Sequence, residues 1–264
     1  MTSKDAKYMV PGLERGLRLL SIFKRDNPEM SISEINKHID LPYATTYRLL
    51  YTLESFGLLS KTKKGYMLGS GVLKLGFEYL ASLELVDLAR PEMIALRDDV
   101  GASANLGILD GAEVIYVAHV PSFRALSTRR VAGSRFPAHA SSMGRLLLGG
   151  MSDDEIRRLY KGVTMQAFGG HAHTIDGLLA LVAEARAKGY VISRGIFEPG
   201  LVAVAAPILN EQSAVVAAVN VSGASSSLDT GALDGPIKDR VCLAGKRISQ
   251  LLGYDADQVA LRSA

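Results

Sequence analysis

No tryptophan and a single cysteine, Cys242, occur in the 264 residues. A lone thiol, set with Val241, Ala244, Ile248 and Leu251 at helical spacing, leaves neither a disulfide framework nor a thiolate metal site, and fits a reducing compartment. No apolar run reaches the roughly 18 residues of a membrane span. Near the start, Lys4, Asp5 and Lys7 stand where a signal peptide would carry its hydrophobic stretch. The expectation is a cytoplasmic protein with no membrane partner. Repeats and low-complexity tracts are also missing, and only the first nine residues read as a disordered tail. With 48% hydrophobic residues, the chain can still bury a large core in one or two domains.

Catalytic signatures are equally scarce. His139, His171 and His173 lack a cysteine or carboxylate at metal-ligand spacing. Ser141 and Ser142 lie near His139, but there is no Gly-x-Ser-x-Gly elbow and no acid to orient a base. Gly69-Ser70-Gly71 has Lys74 where a dinucleotide-binding turn needs its third glycine, and no Gly-Lys-Ser/Thr occurs. No enzyme, cofactor or metal is expected.

What is present begins with LPYATTYRLLYTLESFGLLSKTKKGYMLG, residues 41–69. Leu49, Leu53 and Phe56 recur at helical spacing, predicting a helix over about 42–56 with that stripe in the core. Tyr43, Ala44, Tyr47, Arg48 and Tyr51 then face outward. Pro42 suits the first turn and Gly57 the position after the last. Next comes a hairpin pattern, Leu58-Leu59-Ser60 and Tyr66-Met67-Leu68, around a tip holding Lys61, Lys63 and Lys64. Upstream, Ser31-Ile32-Ser33-Glu34 is a capping box opening a short helix, Asp40-Leu41 leaves a tight turn, and Leu13, Leu17, Leu20 and Phe23 form an earlier helical stripe. Helix, short helix, turn, helix and basic hairpin is the order of a winged helix-turn-helix, whose second motif helix enters the major groove. The DNA-reading set is Tyr43, Ala44, Thr45, Thr46, Tyr47, Arg48 and Tyr51 on the helix, with Lys61, Lys63 and Lys64 on the wing. Charge agrees: residues 1–70 hold 11 Lys and Arg against 7 Asp and Glu, as phosphate neutralisation requires. A protein-docking module of three helices is the competing reading.

Residues 73–84 carry helical spacing and read as a linker helix closed by Pro91. Domain limits are therefore expected at 1–69 for the reader, 70–90 for the linker and 91–264 for the remainder. Strands at 104–109 and 113–120 flank the turn Asp110-Gly111. Helices are expected at 141–149, 153–160 and 175–188, strands at 190–194, 201–209 and 214–222, and a last helix near 232–252. This is an α+β arrangement, an antiparallel sheet covered on one face. The loop SSMG at 141–144 precedes an apolar helix whose first N–H groups suit a carboxylate, although Ser141 also reads as its cap.

Together, LERGLRLL at 13–20, LPYATTYRLLYTLESFGLL, GYMLG, GSRFPAHASSMGRLLL at 133–148, KGY at 188–190, EPGLVAVAAPI at 198–208 and AAVNVSG at 217–223 give the chain a resemblance to IclR-family transcriptional regulators over essentially its whole length. The resemblance implies a winged helix-turn-helix, a linker helix and a GAF-like effector-binding domain, working as a homodimer or a dimer of dimers on double-stranded operator DNA. It is greatest to the branch that regulates catabolism of aromatic acids such as protocatechuate and hydroxybenzoate. By resemblance, Leu126, Thr128, Ser142, Met143, Ser193, Ala203, Asn220 and Ser222 line an effector pocket. Relatives often begin the recognition helix Pro-Lys-Ser, where this chain has Pro42-Tyr43-Ala44, and often carry acids where it has Ser193-Arg194-Gly195-Ile196. Arg194 then suits either a more anionic ligand or a solvated loop. The rival function is an enzyme acting on a small aromatic acid with the helix-turn-helix as a tether.

Overall fold

The computed structural model describes residues 8–24, 26–75, 84–123, 131–166, 174–195 and 199–255. The chain divides into two compact units, Met1–Ser82 and Leu83–Ala264.

In the first unit, helices α1 (Pro11–Ser21), α2 (Ile32–Ile39) and α3 (Tyr43–Ser55) accompany a three-stranded antiparallel sheet of β1 (Glu29–Met30), β2 (Leu59–Lys61) and β3 (Tyr66–Leu68), in the order β1-β3-β2. The capping box opens α2: Ser31 Oγ accepts from Glu34 N–H while the Glu34 carboxylate accepts from Ser31 N–H at 2.8 Å. Asp40, at φ 47°, turns the chain toward α3. The core gathers Leu19, Phe23, Met30, Ile35, Ile39, Leu50, Leu53, Leu59 and Tyr66. Two expected stripes are displaced. On α3 the buried residues are Thr46, Leu50 and Leu53, while Phe56, just past the last turn, is 76% exposed. On α1 Gly16 and Leu19 are buried, and Leu13 and Leu17 face out. A further helical stretch, α4, occupies 71–75; the rest of the expected linker helix falls mainly on 76–83, outside the described residues.

The second unit opens with α5 (Glu84–Val100), which runs through Pro91 where the sequence suggested a stop. Its stripe Val86, Ala89, Met93 and Leu96 is buried without a break across the proline. That continuous packing outweighs the roughly 3 kcal/mol an internal proline costs. A six-stranded antiparallel sheet follows, in the order β6-β5-β4-β9-β8-β7. Its strands are β4 (Ser103–Asp110), β5 (Glu113–Val120), β6 (Arg135–Pro137), β7 (Val191–Arg194), β8 (Leu201–Leu209) and β9 (Val215–Ala224). The strand β6 and the two-residue β1 are too short to show a period.

Helices cover both sheet faces, not one. On one lie α6 (Ser142–Leu148), α7 (Asp153–Leu159) and α8 (Ile175–Lys188), around Met143, Leu147, Ile156, Val182, Ala205 and Ala218. The other carries α5 and α9 (Lys238–Leu251). There Gly245 fits so closely that a Cβ would stand 2.8 Å from the Pro207 carbonyl. Central strands buried on both faces, as β8 and β9 are, need a helical layer on each side.

Candidate functional site

The expected DNA-reading face is assembled by α3 and the hairpin β2–β3. Tyr43, Tyr47 and Tyr51 are 58%, 49% and 66% exposed, one turn apart, with Ala44 and Arg48 exposed beside them. Thr45 is half-buried and its N–H bonds to the Pro42 carbonyl at 2.8 Å. Thr46 does not belong to this face: it is fully buried, and its Oγ1 donates to Asn36 Oδ1 at 2.5 Å, tying α3 to α2. Lys61, Lys63 and Lys64 are exposed. The hairpin tip is shaped by Thr62, whose Oγ1 meets the Glu29 carboxylate and accepts from the N–H groups of Lys64 and Gly65 at 3.2 and 3.0 Å. Gly65 lies so close to Met30 that a Cβ would stand 2.1 Å from its carbonyl oxygen. The wing is thus anchored to β1 at the base of its basic tip.

The proposed effector residues come together on the sheet face below α6. Strand register sets Ser193 beside Ala203, Ala203 beside Ser222, and Ser222 beside Ser103. One step along, Val191, Ala205, Asn220 and Asn105 form the next row, extended by His119 on β5. Met143 reaches this face, its Cε standing 3.1 Å from where a Gly107 Cβ would be. Ser142 is buried at the start of α6. There Ser141 Oγ accepts from Gly144 N–H at 2.8 Å, leaving the N–H groups of Ser142 and Met143 as the first-turn donors with no intrahelical acceptor. Leu126 and Thr128 lie outside the described residues.

Two residues of this face, Asn105 and His119, escaped sequence reading. Asn105 is fully buried; its Nδ2 donates to Asn220 Oδ1 at 2.7 Å and to Ser222 Oγ at 3.2 Å, while Oδ1 lies 2.7 Å from His119 Nδ1. With the protonated nitrogen of His119 facing that oxygen, the chain of bonds runs one way, His119 to Asn105 to Asn220. It ends at Asn220 Nδ2, a pair of donors on a residue 2% exposed, for which no acceptor is found among the described residues. The only signal in the sequence was an asparagine inside the strand ANLGIL, whose partner is 115 residues away.

Arg194 is exposed, turned away from Ser193 by strand alternation, and paired with the Asp234 carboxylate. His139 Nε2 lies 3.2 Å from the Gln166 carbonyl. His171 and His173 fall outside the described residues. Among the described residues no group of three His, Cys, Asp or Glu could hold a metal ion, and no helix is long and apolar enough to cross a membrane.

Residues 12–63 match the IclR helix-turn-helix domain, and residues 77–249 match the C-terminal domain of bacterial IclR transcriptional regulators. The chain is 28% identical to the HTH-type transcriptional regulator XynR of Escherichia coli K12 over 251 residues, covering 94% of this chain and 99% of the relative. It is 32% identical to the Pca regulon regulatory protein of Pseudomonas putida, over 83% of this chain and 75% of that one. An IclR homologue from Microbacterium hydrocarbonoxydans, solved in complex with 4-hydroxybenzoate, shares the fold with a TM-score of 0.78 at 24% identity, covering 91% of this chain and 98% of that one. A winged reader joined to a helix-covered antiparallel sheet, matched by both domain models, places the chain in the IclR family of transcriptional regulators, DNA-binding proteins and not enzymes.

Proposed function

We propose that the chain is an effector-responsive regulator whose ligand is a small aromatic acid, held on the sheet face of Asn105, Asn220, Ser222, Ser193 and Ala203 beneath Met143 and Ser142. The observation that carries this reading is the buried hydrogen-bond chain ending at the Asn220 amide, whose donors have no acceptor among the described residues. A buried polar group needs a partner, and a donor pair set among alanines and a methionine asks for a flat apolar body bearing an acceptor. The ring rests on Met143 and Ala203, one polar end on Asn220 Nδ2 and the other at the first turn of α6. The Pca relative and the 4-hydroxybenzoate-bound neighbour are consistent with that class.

On the reader, Arg48 and the tyrosines contact base edges in the major groove while Lys61, Lys63 and Lys64 neutralise phosphates. Operators read this way are palindromic, because the outward Leu13 and Leu17, 61% and 56% exposed, give α1 an apolar face suited to a second copy, in a dimer or a dimer of dimers. The test begins with selection of bound duplexes from a random pool by the full chain. Calorimetry with benzoate, 4-hydroxybenzoate and protocatechuate against aliphatic hydroxy acids follows, then titration of the selected duplex with and without each binder. An aromatic acid that binds and shifts duplex affinity is expected. Binding of aliphatic acids alone would overturn the effector assignment, and recovery of no preferred duplex would overturn the reading of α3.

A further inference from the structure

The second unit contains a buried cation whose hydrogen-bonding needs the protein leaves unmet. Arg145, on α6, is 6% exposed, and its Nε and Nη2 have neither solvent nor a partner among the described residues. Burial pulls its pKa below the usual arginine value, opposed by the Glu184 carboxylate. A guanidinium keeps its proton at any working pH, so it cannot escape this cost by neutralising as a buried lysine does. The two unmet nitrogens also belong together. Their N–H bonds run parallel along one edge of the guanidinium plane, the edge that takes two oxygens of a carboxylate or phosphate side-on.

Arg145 also lines a cleft of about 190 Å³ between α6, α8 and the edge strand β7, together with Glu184, Lys188, Tyr190, Arg194 and Asp234 among others. Four of these charges form two closed pairs. Lys188 Nζ meets Glu184 at 2.6 Å, and Arg194 meets Asp234. Arg145 is the surplus positive charge. Side chains of both pairs are about half exposed or more, so they can swing aside to admit a guest and re-form around it.

We propose that this cleft is a second ligand site that binds a small oxyanion, a carboxylate or a phosphate, on the side-on fork of Arg145, with Lys188 and Arg194 as flanking cations. It is distinct from the Asn220 face, yet joined to it through α6: Arg145 follows Met143 by two residues on the same helix. An anion here braces the helix that covers the aromatic ligand, which makes it a co-effector site.

Thermal unfolding of the full chain is measured with inorganic phosphate and with acetate, ionic strength being held constant with chloride. At a hundredfold excess over Kd, the bound anion raises the transition of the second unit by about 5–10 °C. Arg145→Met abolishes the shift. This change replaces an unmet buried charge by an apolar chain of similar length, which the fold tolerates. Arg145→Lys, which keeps charge but loses the fork, weakens binding at least about 10-fold. A response to phosphate alone assigns a phosphate ligand, and one to acetate assigns a carboxylate. No response to either anion, or an equal response in Arg145→Met, overturns the proposal. So does a response seen in Glu184→Gln and absent from the wild type, which would make Glu184 the resident partner of Arg145.

Discussion

Asn105→Asp is nearly isosteric and inverts one property. The amide Nδ2 that donates to Asn220 Oδ1 and Ser222 Oγ becomes a carboxylate oxygen that can only accept. His119 Nδ1–H and the Ser222 hydroxyl can both donate to it without moving backbone. Asn220 must rotate its amide by half a turn so that Nδ2 faces residue 105, and its carbonyl oxygen then points to the ligand. The buried carboxylate keeps three donors, so the fold survives with a lower melting temperature. Effector binding changes sign of preference. A ligand acceptor, above all an ionised carboxylate, loses a charge-assisted hydrogen bond worth about 1.5–3 kcal/mol, which is roughly a 10- to 150-fold rise in Kd. A ligand presenting a hydroxyl or amide donor at that end is retained or gains. Calorimetry on the full chain with benzoate, its primary amide and 4-hydroxybenzoate reads this out, with Asn220→Ala as the variant that loses the donor without creating an acceptor. Equal weakening of acid and amide in Asn105→Asp would mean that only packing had changed, and unchanged affinity for both would remove Asn220 from the ligand's contacts.

Arg48→Ala should cost about 1–3 kcal/mol on the selected operator and little on random duplex. Lys63→Ala with Lys64→Ala should instead weaken both alike and flatten the salt dependence; unchanged affinity in both at fixed salt would refute the winged-helix interface. Thr46→Val removes the hydroxyl held by Asn36. It should lower stability by about 1 kcal/mol, a fall of roughly 4–8 °C in the melting of the first unit, while operator discrimination persists; lost discrimination at full stability would put Thr46 against a base. Ala203→Phe should fill the sheet-face site and abolish the effector's influence on DNA binding while effector-free operator affinity stays within about twofold, and an undiminished response would move the ligand elsewhere.

The contrast between Thr46 and the capping boxes shows where sequence reading holds. Ser31 with Glu34 and Ser152 with Glu155 close within one turn, so the bonds that make them are written in four consecutive residues. The same holds for Asp110-Gly111, with Gly111 at φ 58°, and for Thr174 and Gly189 at the two ends of α8. The α3 stripe was ambiguous for a physical reason: residues 49, 53 and 56 and residues 46, 50 and 53 both have helical spacing, and they differ by a rotation of only about 60°. Phe56 tips the first pattern toward the core by its size, yet it falls past the helix end. Thr46 occupies the true core row because Asn36, ten residues back, supplies the partner that makes a buried hydroxyl affordable.

The same logic explains why half of the proposed effector face was legible. Ala203, Ala205, Asn220 and Ser222 lie on two adjacent strands, and alternation alone puts each pair on one side. Asn105 and His119 become neighbours of these residues only through the β4–β9 and β4–β5 registers, which no local pattern encodes. Arg145 is harder still: within GRLLL it reads as the one polar position of an apolar helix, a place for a solvated charge. The surroundings of α6 remove that option, since α8 and β7 close over it from the side that would otherwise face water. The layer of α6 and α8 over one sheet face therefore encloses both polar groups, an asparagine amide below α6 and a guanidinium on the side toward α8.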